Sequence, residues 1–130
     1  MEDLTKRLGN EKNLVIEKVP LFTLGGPLQS GVLIRYILAL VEDKNGNSKL
    51  VARAADVSSH SKIFNALRRQ VFKEFEVEPS AQGGGFLVFN EPEKSIKVMG
   101  DSESYGKADS QKIYEILASA YPGWRIEVKN

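Results

Sequence analysis

The sequence predicts an α/β (α+β) fold in which a mixed, mostly antiparallel β-sheet is flanked by two α-helices. The first observation is the run Val32–Val41, which is apolar at every position except Arg35, as expected of a strand covered on both faces. A turn with Asn45 and Gly46 at its tip follows this run and predicts a hairpin with an antiparallel partner strand. Two later stretches carry apolar residues at helical spacing, which predicts the two helices.

Composition indicates one soluble domain over residues 1–130, because the 42% hydrophobic content is that of an ordinary globular protein. Residues 1–13 are charged and of mixed sign, so we expect a mobile N-terminal tail there. No apolar run resembles a signal peptide or spans a membrane, and we expect a cytoplasmic monomer. The chain has no cysteine, which excludes disulfides and thiolate chemistry. We expect neither a metal nor a cofactor.

The first half of the chain also predicts an edge strand within residues 14–22, a partner strand at residues 49–54, and the first helix. The cap of this helix is one of three residues: Asp56, Ser58 or Ser59. Its apolar face is formed by Ile63, Leu67 and Val71, and its other face is basic, with Lys62, Arg68, Arg69 and Lys73. We interpret the basic face as solvated rather than as a nucleic-acid stripe, because stacking aromatics are absent and the net charge is +1.

The second half predicts four short strands, at residues 75–78, 86–89, 95–99 and 124–128. Gly83–Gly85 is interpreted as a flexible bend or bulge, with close backbone approach to a ligand as the alternative. The second helix has Asp109 as its cap, and its apolar face is formed by Ile113, Ile116, Leu117 and Ala120.

The loop Gly100–Gly106, with the sequence GDSESYG, is the candidate site. It joins the alternating strand at residues 95–99 to the second helix, and its small residues supply backbone N–H groups. Such a loop suits an anion such as phosphate, and we expect the nearby helix N-terminus to contribute.

Two single residues are candidates for chemistry. Arg35 is the only charge in its apolar strand, so it is either paired with a structural carboxylate, placed at the rim of the sheet, or an anion ligand. His60 is the only histidine and falls in the first turn of the first helix. It is either a surface or capping residue or a base or nucleophile, since a helix N-terminus favours the neutral ring.

Five features in fixed order extend over roughly residues 31–128. They are Arg35-Tyr36-Ile37-Leu38 on a long strand, His60 opening a helix, Gly83-Gly84-Gly85 before a strand, GDSESYG before a helix, and Tyr121-Pro122-Gly123-Trp124 before the last strand. In this order and spacing the chain resembles the Janus/Ocnus family of 14-kDa phosphohistidine phosphatases. The resemblance implies a phosphohistidine-phosphatase-like fold. It also implies a metal-independent protein histidine phosphatase that acts on phosphorylated proteins, with phospholysine left open as a second substrate.

The resemblance also implies residue roles. In the family the histidine matching His60 is catalytic, the basic residue matching Arg35 binds phosphate, and the serine matching Ser102 helps to hold it. Ser104 is small, as the family's loop needs, so its backbone N–H would also face the phosphate. Gly100 and Arg53 complete the candidate phosphate- and substrate-binding residues.

The chain departs from the family's pattern at four places. Arg35 stands where lysine is common, and the Leu-Val-Arg-Gly pattern reads Leu50-Val51-Ala52-Arg53, which displaces the arginine by one residue and thus to the opposite face. Ser59 precedes the histidine where an aromatic is common, and Phe86 follows the glycines where a basic residue is common. Arg53 and Phe86 favour the alternative function, a non-catalytic Janus-like module that binds a phosphoprotein or another protein. An RNA-binding domain that uses the basic helix is the third interpretation.

Overall fold

The computed structural model describes residues 22–24, 29–43 and 46–129. The elements in chain order are β1 (Phe22–Leu24), β2 (Leu33–Glu42), β3 (Ser48–Ala55), α1 (His60–Phe75), β4 (Pro79–Asn90), β5 (Ser95–Met99), α2 (Ser110–Ala120) and β6 (Arg125–Val128). The predicted tail at residues 1–13 and nearly all of the predicted edge strand at residues 14–22 lie outside the described residues.

The described strands form one six-stranded sheet in the order β1-β3-β2-β4-β5-β6. The three inner pairs, β3 with β2, β2 with β4, and β4 with β5, are antiparallel. The two outer pairs, β1 with β3 and β5 with β6, are parallel. The predicted mixed, mostly antiparallel sheet flanked by two helices is therefore confirmed.

The two helices pack on opposite faces of the sheet, because side chains alternate between faces along each strand. Odd-numbered residues of β2 face α1, and their cluster comprises Ile37, Ala39, Val41, Val51, Ile63, Leu67, Val71, Phe75 and Val77. Even-numbered residues of β2 face α2, in a larger cluster that includes Ile34, Tyr36, Leu38, Leu87, Ile96, Ile113 and Leu117. We call the two sides of the sheet the α1 face and the α2 face.

Helix α1 begins at His60 because Ser59 caps it. The Ser59 backbone is extended, and its hydroxyl accepts the Lys62 N–H at 3.4 Å. The helix ends at Phe75, which continues the buried stripe of the helix, and Glu76 follows in the left-handed conformation with its N–H donated to the Phe72 carbonyl. The predicted strand at residues 75–78 is therefore wrong. Across the described residues, no helix has the length and apolar character needed to cross a bilayer.

Strand β4 runs without a break through Gly83–Gly85, so the predicted bend there is wrong. The pairing register with β2 shifts beside the first glycine: Leu38 pairs with Gly83, but Ala39 pairs with Ala81. Gln82 is the extra residue, and the predicted bulge is found at this position. The bulge lets the strand continue while it turns its glycines toward neighbouring backbone.

Candidate functional site

Arg35, His60 and Phe86 meet on the α1 face. Arg35 on β2 pairs with Phe86 on β4, and paired residues of neighbouring strands point to the same side. The guanidinium carbon of Arg35 lies 5.3 Å from the centre of the Phe86 ring. The His60 ring meets the same phenyl ring edge-on, with centroids 5.4 Å apart and an angle of 81° between the planes. We call these three residues the His60 cluster.

The His60 ring is fixed in one orientation and one neutral tautomer. The residue is 7% exposed, and its Nε2 lies 2.8 Å from the Gly85 carbonyl oxygen. A carbonyl oxygen can only accept a hydrogen bond, so Nε2 carries the proton in the neutral ring and Nδ1 keeps its lone pair. The arrangement therefore provides a buried imidazole whose Nδ1 is the basic nitrogen.

Arg35 is half-buried near the start of β2, which agrees with the rim position considered from the sequence. Its Nη1 donates to the Val57 carbonyl at 2.7 Å. Within the described ranges, no carboxylate lies at salt-bridge distance from Arg35. A guanidinium has further N–H groups on the same planar fork, so Arg35 can bind an anion while it keeps its bond to Val57.

The loop Gly100–Gly106 closes one side of the His60 cluster. Gly100 lies against Phe86, since a Cβ at Gly100 would be 3.1 Å from the Cδ2 of that ring. The Gly106 carbonyl accepts the Gly84 N–H at 3.0 Å. The Tyr105 ring lies 5.3 Å from the ring of Phe64 on α1. The loop is thus tied to β4 and to the N-terminal part of α1, the two elements that carry Phe86 and His60.

Ser102 and Ser104 hold different positions within this loop. Ser102 is 3% exposed, and its hydroxyl oxygen accepts the Tyr105 N–H at 3.1 Å. The Ser102 N–H donates to the Gly106 carbonyl and the Gly106 N–H donates to the Ser102 carbonyl, so the Ser102 backbone holds the loop itself. Among the described residues, none accepts the Ser102 hydroxyl proton, and Ser104 is exposed at the loop tip.

The N-terminus of α2 lies apart from the His60 cluster, because α2 packs on the opposite face of the sheet. Asp109 caps α2 as predicted, and its carboxylate accepts the Lys112 N–H at 3.1 Å. The loop therefore packs beside the His60 cluster, whereas α2 packs on the other face of the sheet, so the expected contribution of the α2 N-terminus is not supported.

Arg53 is on the α1 face, but the structure does not bring it to the His60 cluster. It pairs with Ile37, is 5% exposed, and donates from Nη2 to the Gln70 Oε1 at 3.3 Å. Gln70 is ten residues beyond His60 on α1, which corresponds to about 15 Å along the helix. Burial lowers the pKa of Arg53 to about 10, and the charge of Glu74 opposes this effect. Arg53 thus belongs to the contact between β3 and the C-terminal half of α1.

Each of the three consecutive glycines of β4 lies where a side chain would clash with backbone. A Cβ on Gly83 would be 2.6 Å from the Lys107 carbonyl oxygen, and one on Gly85 would be 2.7 Å from the Met99 carbonyl oxygen. A Cβ on Gly84 would be 2.5 Å from the Tyr36 carbonyl oxygen and 3.2 Å from the His60 Cδ2. The glycines therefore allow close approach of the neighbouring strands, of the segment around the loop and of His60, so both His60 and the loop pack against β4.

Sequence reasoning did not foresee two features of the site. Phe86 was noted only as a missing cation, whereas it contacts both His60 and Arg35. The exposed Asp101 and Glu103 on either side of Ser102 add negative charge to the loop, and the sequence alone was enough to show them.

The described part of the chain contains no group of three or more His, Cys, Asp or Glu side chains arranged to hold a metal ion. Metal independence stays a prediction.

Comparison with known proteins identifies relatives along most of the chain. The sequence profile of the Janus/Ocnus family matches residues 27–125. The chain is 35% identical over 99 residues to the sex-regulated protein janus-A of Drosophila melanogaster, which covers 75% of this chain and 73% of that protein. It is 32% identical over 105 residues to the sex-regulated protein janus-B of Drosophila orena. This alignment covers 74% of this chain and 71% of that protein. The chain therefore belongs to the Janus/Ocnus family.

Proposed function

We propose that the protein is a metal-independent protein histidine phosphatase that hydrolyses the P–N bond of phosphohistidine in proteins. The observation that carries the proposal is the hydrogen bond from His60 Nε2 to the Gly85 carbonyl, which leaves Nδ1 with its lone pair in a ring that contacts the same Phe86 side chain as Arg35. A base and a cation held on the same face of a sheet form the kind of arrangement that phosphoryl transfer uses.

The reaction can proceed by two routes from this geometry. In the first, His60 Nδ1 takes a proton from water as the oxygen attacks phosphorus, and His60 then gives this proton to the leaving ring nitrogen as the P–N bond breaks, so the substrate imidazole leaves neutral. In the second, Nδ1 itself attacks phosphorus and the P–N bond breaks as the substrate imidazole leaves with a proton from solvent; water later cleaves the new P–N bond on His60 and releases phosphate. In both routes Arg35 and the Gly100–Gly106 loop balance the charge of the phosphoryl oxygens, with Ser102 donating its hydroxyl proton.

A second candidate function is a non-catalytic module that binds a phosphorylated protein. Two observations favour it: Phe86 stands where a basic residue is common in the family, and Arg53 contacts Gln70 instead of the His60 cluster. Asp101 and Glu103 further lower the positive potential around the loop. Such a module would bind a phosphohistidine peptide without turnover.

Two substitutions, assayed on one phosphohistidine peptide, separate the two functions. His60→Ala removes the basic nitrogen, so we expect kcat to fall at least about a hundredfold while phosphate affinity changes only a few-fold. Added free imidazole should restore part of the rate, because a small base can occupy the vacated space. Ser102→Ala keeps the base and removes one donor, so we expect a loss of about tenfold in kcat/KM.

Circular dichroism and the melting temperature of each variant provide the folding control. Equal and mild losses for His60→Ala and Ser102→Ala would reject His60 as the catalytic residue and favour the binding module. EDTA should leave the wild-type rate unchanged, and a loss that a divalent ion restores would reject metal independence.

A further inference from the structure

The α1 face carries an apolar area that α1 does not cover. Helix α1 packs on the far part of β2, over Ile37, Ala39 and Val41. At the near end of β2, Leu33 is 53% exposed, which is unusual for leucine on a sheet. Leu33 pairs with Val88 on β4, which is half-buried. Leu33 and Val88 therefore form an open apolar pair, which we call the apolar strip.

The apolar strip is continuous with the His60 cluster. Leu33 precedes Arg35 by two residues and Val88 follows Phe86 by two, so both lie on the same face of their strands as the site. Two residues of a strand span about 7 Å, so the strip begins about one residue pair away from Arg35. The exposed Lys97, paired with Val88, borders the strip on β5. A chain that leaves the site in this direction would cross apolar side chains first and a cation next.

We propose that the apolar strip binds the segment of the phosphorylated protein that flanks phosphohistidine. This proposal rests on the proposed function, because a phosphatase acting on proteins must place the chain on either side of the modified residue. The occupant is a large apolar side chain two residues from phosphohistidine, since two residues of an extended peptide also span about 7 Å. An acidic residue beyond it is placed to meet Lys97.

The test compares a peptide substrate with a small-molecule substrate that has no flanking residues. The peptide carries phosphohistidine with leucine two residues before and two residues after it, and the second substrate is phosphoramidate, which contains the same P–N bond and nothing else. The double variant Leu33→Ser and Val88→Thr should lower kcat/KM for the peptide about tenfold, mainly through KM. Its kcat/KM for phosphoramidate should stay within about twofold of wild type, because the His60 cluster is unchanged.

Two controls complete the experiment. Phe72→Ser removes another exposed apolar side chain, 56% exposed on the outer surface of α1, and should affect neither substrate. A second peptide with serine in place of both leucines should be a poor substrate for the wild type and equally poor for the double variant. This peptide series needs only the wild-type protein, so it still tests the strip if the double variant does not fold.

The outcomes distinguish the two proposals. If the wild type hydrolyses neither substrate, the proposed phosphatase fails. If the wild type hydrolyses the leucine peptide and phosphoramidate but hydrolyses the serine peptide as well as the leucine peptide, the apolar strip is not a docking surface. The same conclusion follows if the double variant loses rate equally on the leucine peptide and on phosphoramidate.

Discussion

Two arginines on one sheet face have different surroundings, and this difference decides their roles at the residue scale. Arg35 is half-buried, donates to the Val57 carbonyl and lies over Phe86. Arg53 is buried, and its guanidinium contacts Gln70 on α1. Burial of a guanidinium opposes its charge, so we expect Arg53 to add little net stability, whereas we expect the half-buried Arg35 to bind an anion.

The matched substitutions Arg35→Met and Arg53→Met test this difference. Arg35→Met should weaken phosphate binding about ten- to a hundredfold, because a charge-assisted hydrogen bond contributes about 1.5 to 3 kcal/mol. Arg53→Met should leave phosphate affinity unchanged and alter the free energy of unfolding by only about 1 kcal/mol in either direction. Calorimetric titration with phosphate and urea unfolding measure both quantities.

The interpretation of Arg35 as an anion ligand would be wrong if Arg35→Met lost several kcal/mol of stability with no change in affinity. A loss of phosphate affinity in Arg53→Met would instead return Arg53 to the candidate site.

At the element scale, the three glycines of β4 hold the site together. Gly85 supplies the carbonyl that fixes His60, and Gly84 donates to Gly106 of the loop. Glycine usually weakens a strand, because it loses much backbone freedom and buries no side chain. Here it is required, since Tyr36, Lys107 and Met99 bring their carbonyl oxygens within 2.5 to 2.7 Å of the positions of the missing Cβ atoms.

Gly84→Ala should lower both stability and rate. The new methyl group would be 2.5 Å from the Tyr36 carbonyl oxygen, and such overpacking costs about 1 to 3 kcal/mol. Because the shift displaces the strand that orients His60, kcat should fall more than the folded fraction does. Gly123→Ala is the control: Gly123 has a φ of 86° and open space around it, so it should cost about 1 kcal/mol of backbone strain with no change in kcat per folded molecule. Equal kcat values for the two variants would show that Gly84 does not position the histidine.

The elements that could be predicted from the sequence are those that local pattern specifies. The stripe of Ile63, Leu67 and Val71 defines α1, and the Asp43–Asn47 hydrogen bonds close the hairpin between β2 and β3. The continuity of β4 could not be predicted, because three glycines read as a break unless the loop that packs on them is known. The loop contacts Gly84 across 22 residues of sequence, and no local pattern encodes that contact.

The candidate site shows the same division. The resemblance to the Janus/Ocnus family implied phosphate chemistry at Arg35, His60 and Ser102, and the structure brings the first two together around Phe86. The position of Arg53 could not be predicted, because its face follows from strand alternation but its partner on α1 depends on how the helix lies on the sheet. For the same reason the contact of Phe86 with His60 was not foreseen.

At the scale of the whole molecule, the sheet separates the site from a larger apolar core. Tyr36 is buried in the α2-face core, and this burial raises its pKa to about 12 from 10.0. Between pH 10 and pH 12 the unfolded chain therefore loses this proton while the folded protein keeps it. Stability that is fully present below pH 10 is then lost as the pH rises.

Tyr36→Phe should reduce this alkaline loss. Between pH 9 and pH 11, the wild type should lose about 1 to 1.5 kcal/mol more of its free energy of unfolding than the variant does. Urea unfolding at the two pH values measures the difference. The comparison is needed because other groups also change the free energy of unfolding as the pH rises. Burial raises the pKa of Tyr121, which lowers stability at alkaline pH as Tyr36 does. The lowered pKa of Arg53 has the opposite effect on stability above pH 10. A variant with the same pH dependence as the wild type would contradict the assignment to Tyr36.

Because the sheet separates its two faces, it also determines which part of the molecule tryptophan fluorescence can report on. Trp124, the chain's one tryptophan, packs against Phe89 and Tyr121 with ring centroids 5.0 Å apart in each case, and the Lys94 Nζ lies 5.3 Å from its ring. This aromatic group lies on the α2 face, with the sheet between it and His60. We therefore expect tryptophan fluorescence to follow unfolding of the region where β5, β6 and α2 pack, and not to respond if an anion binds on the α1 face.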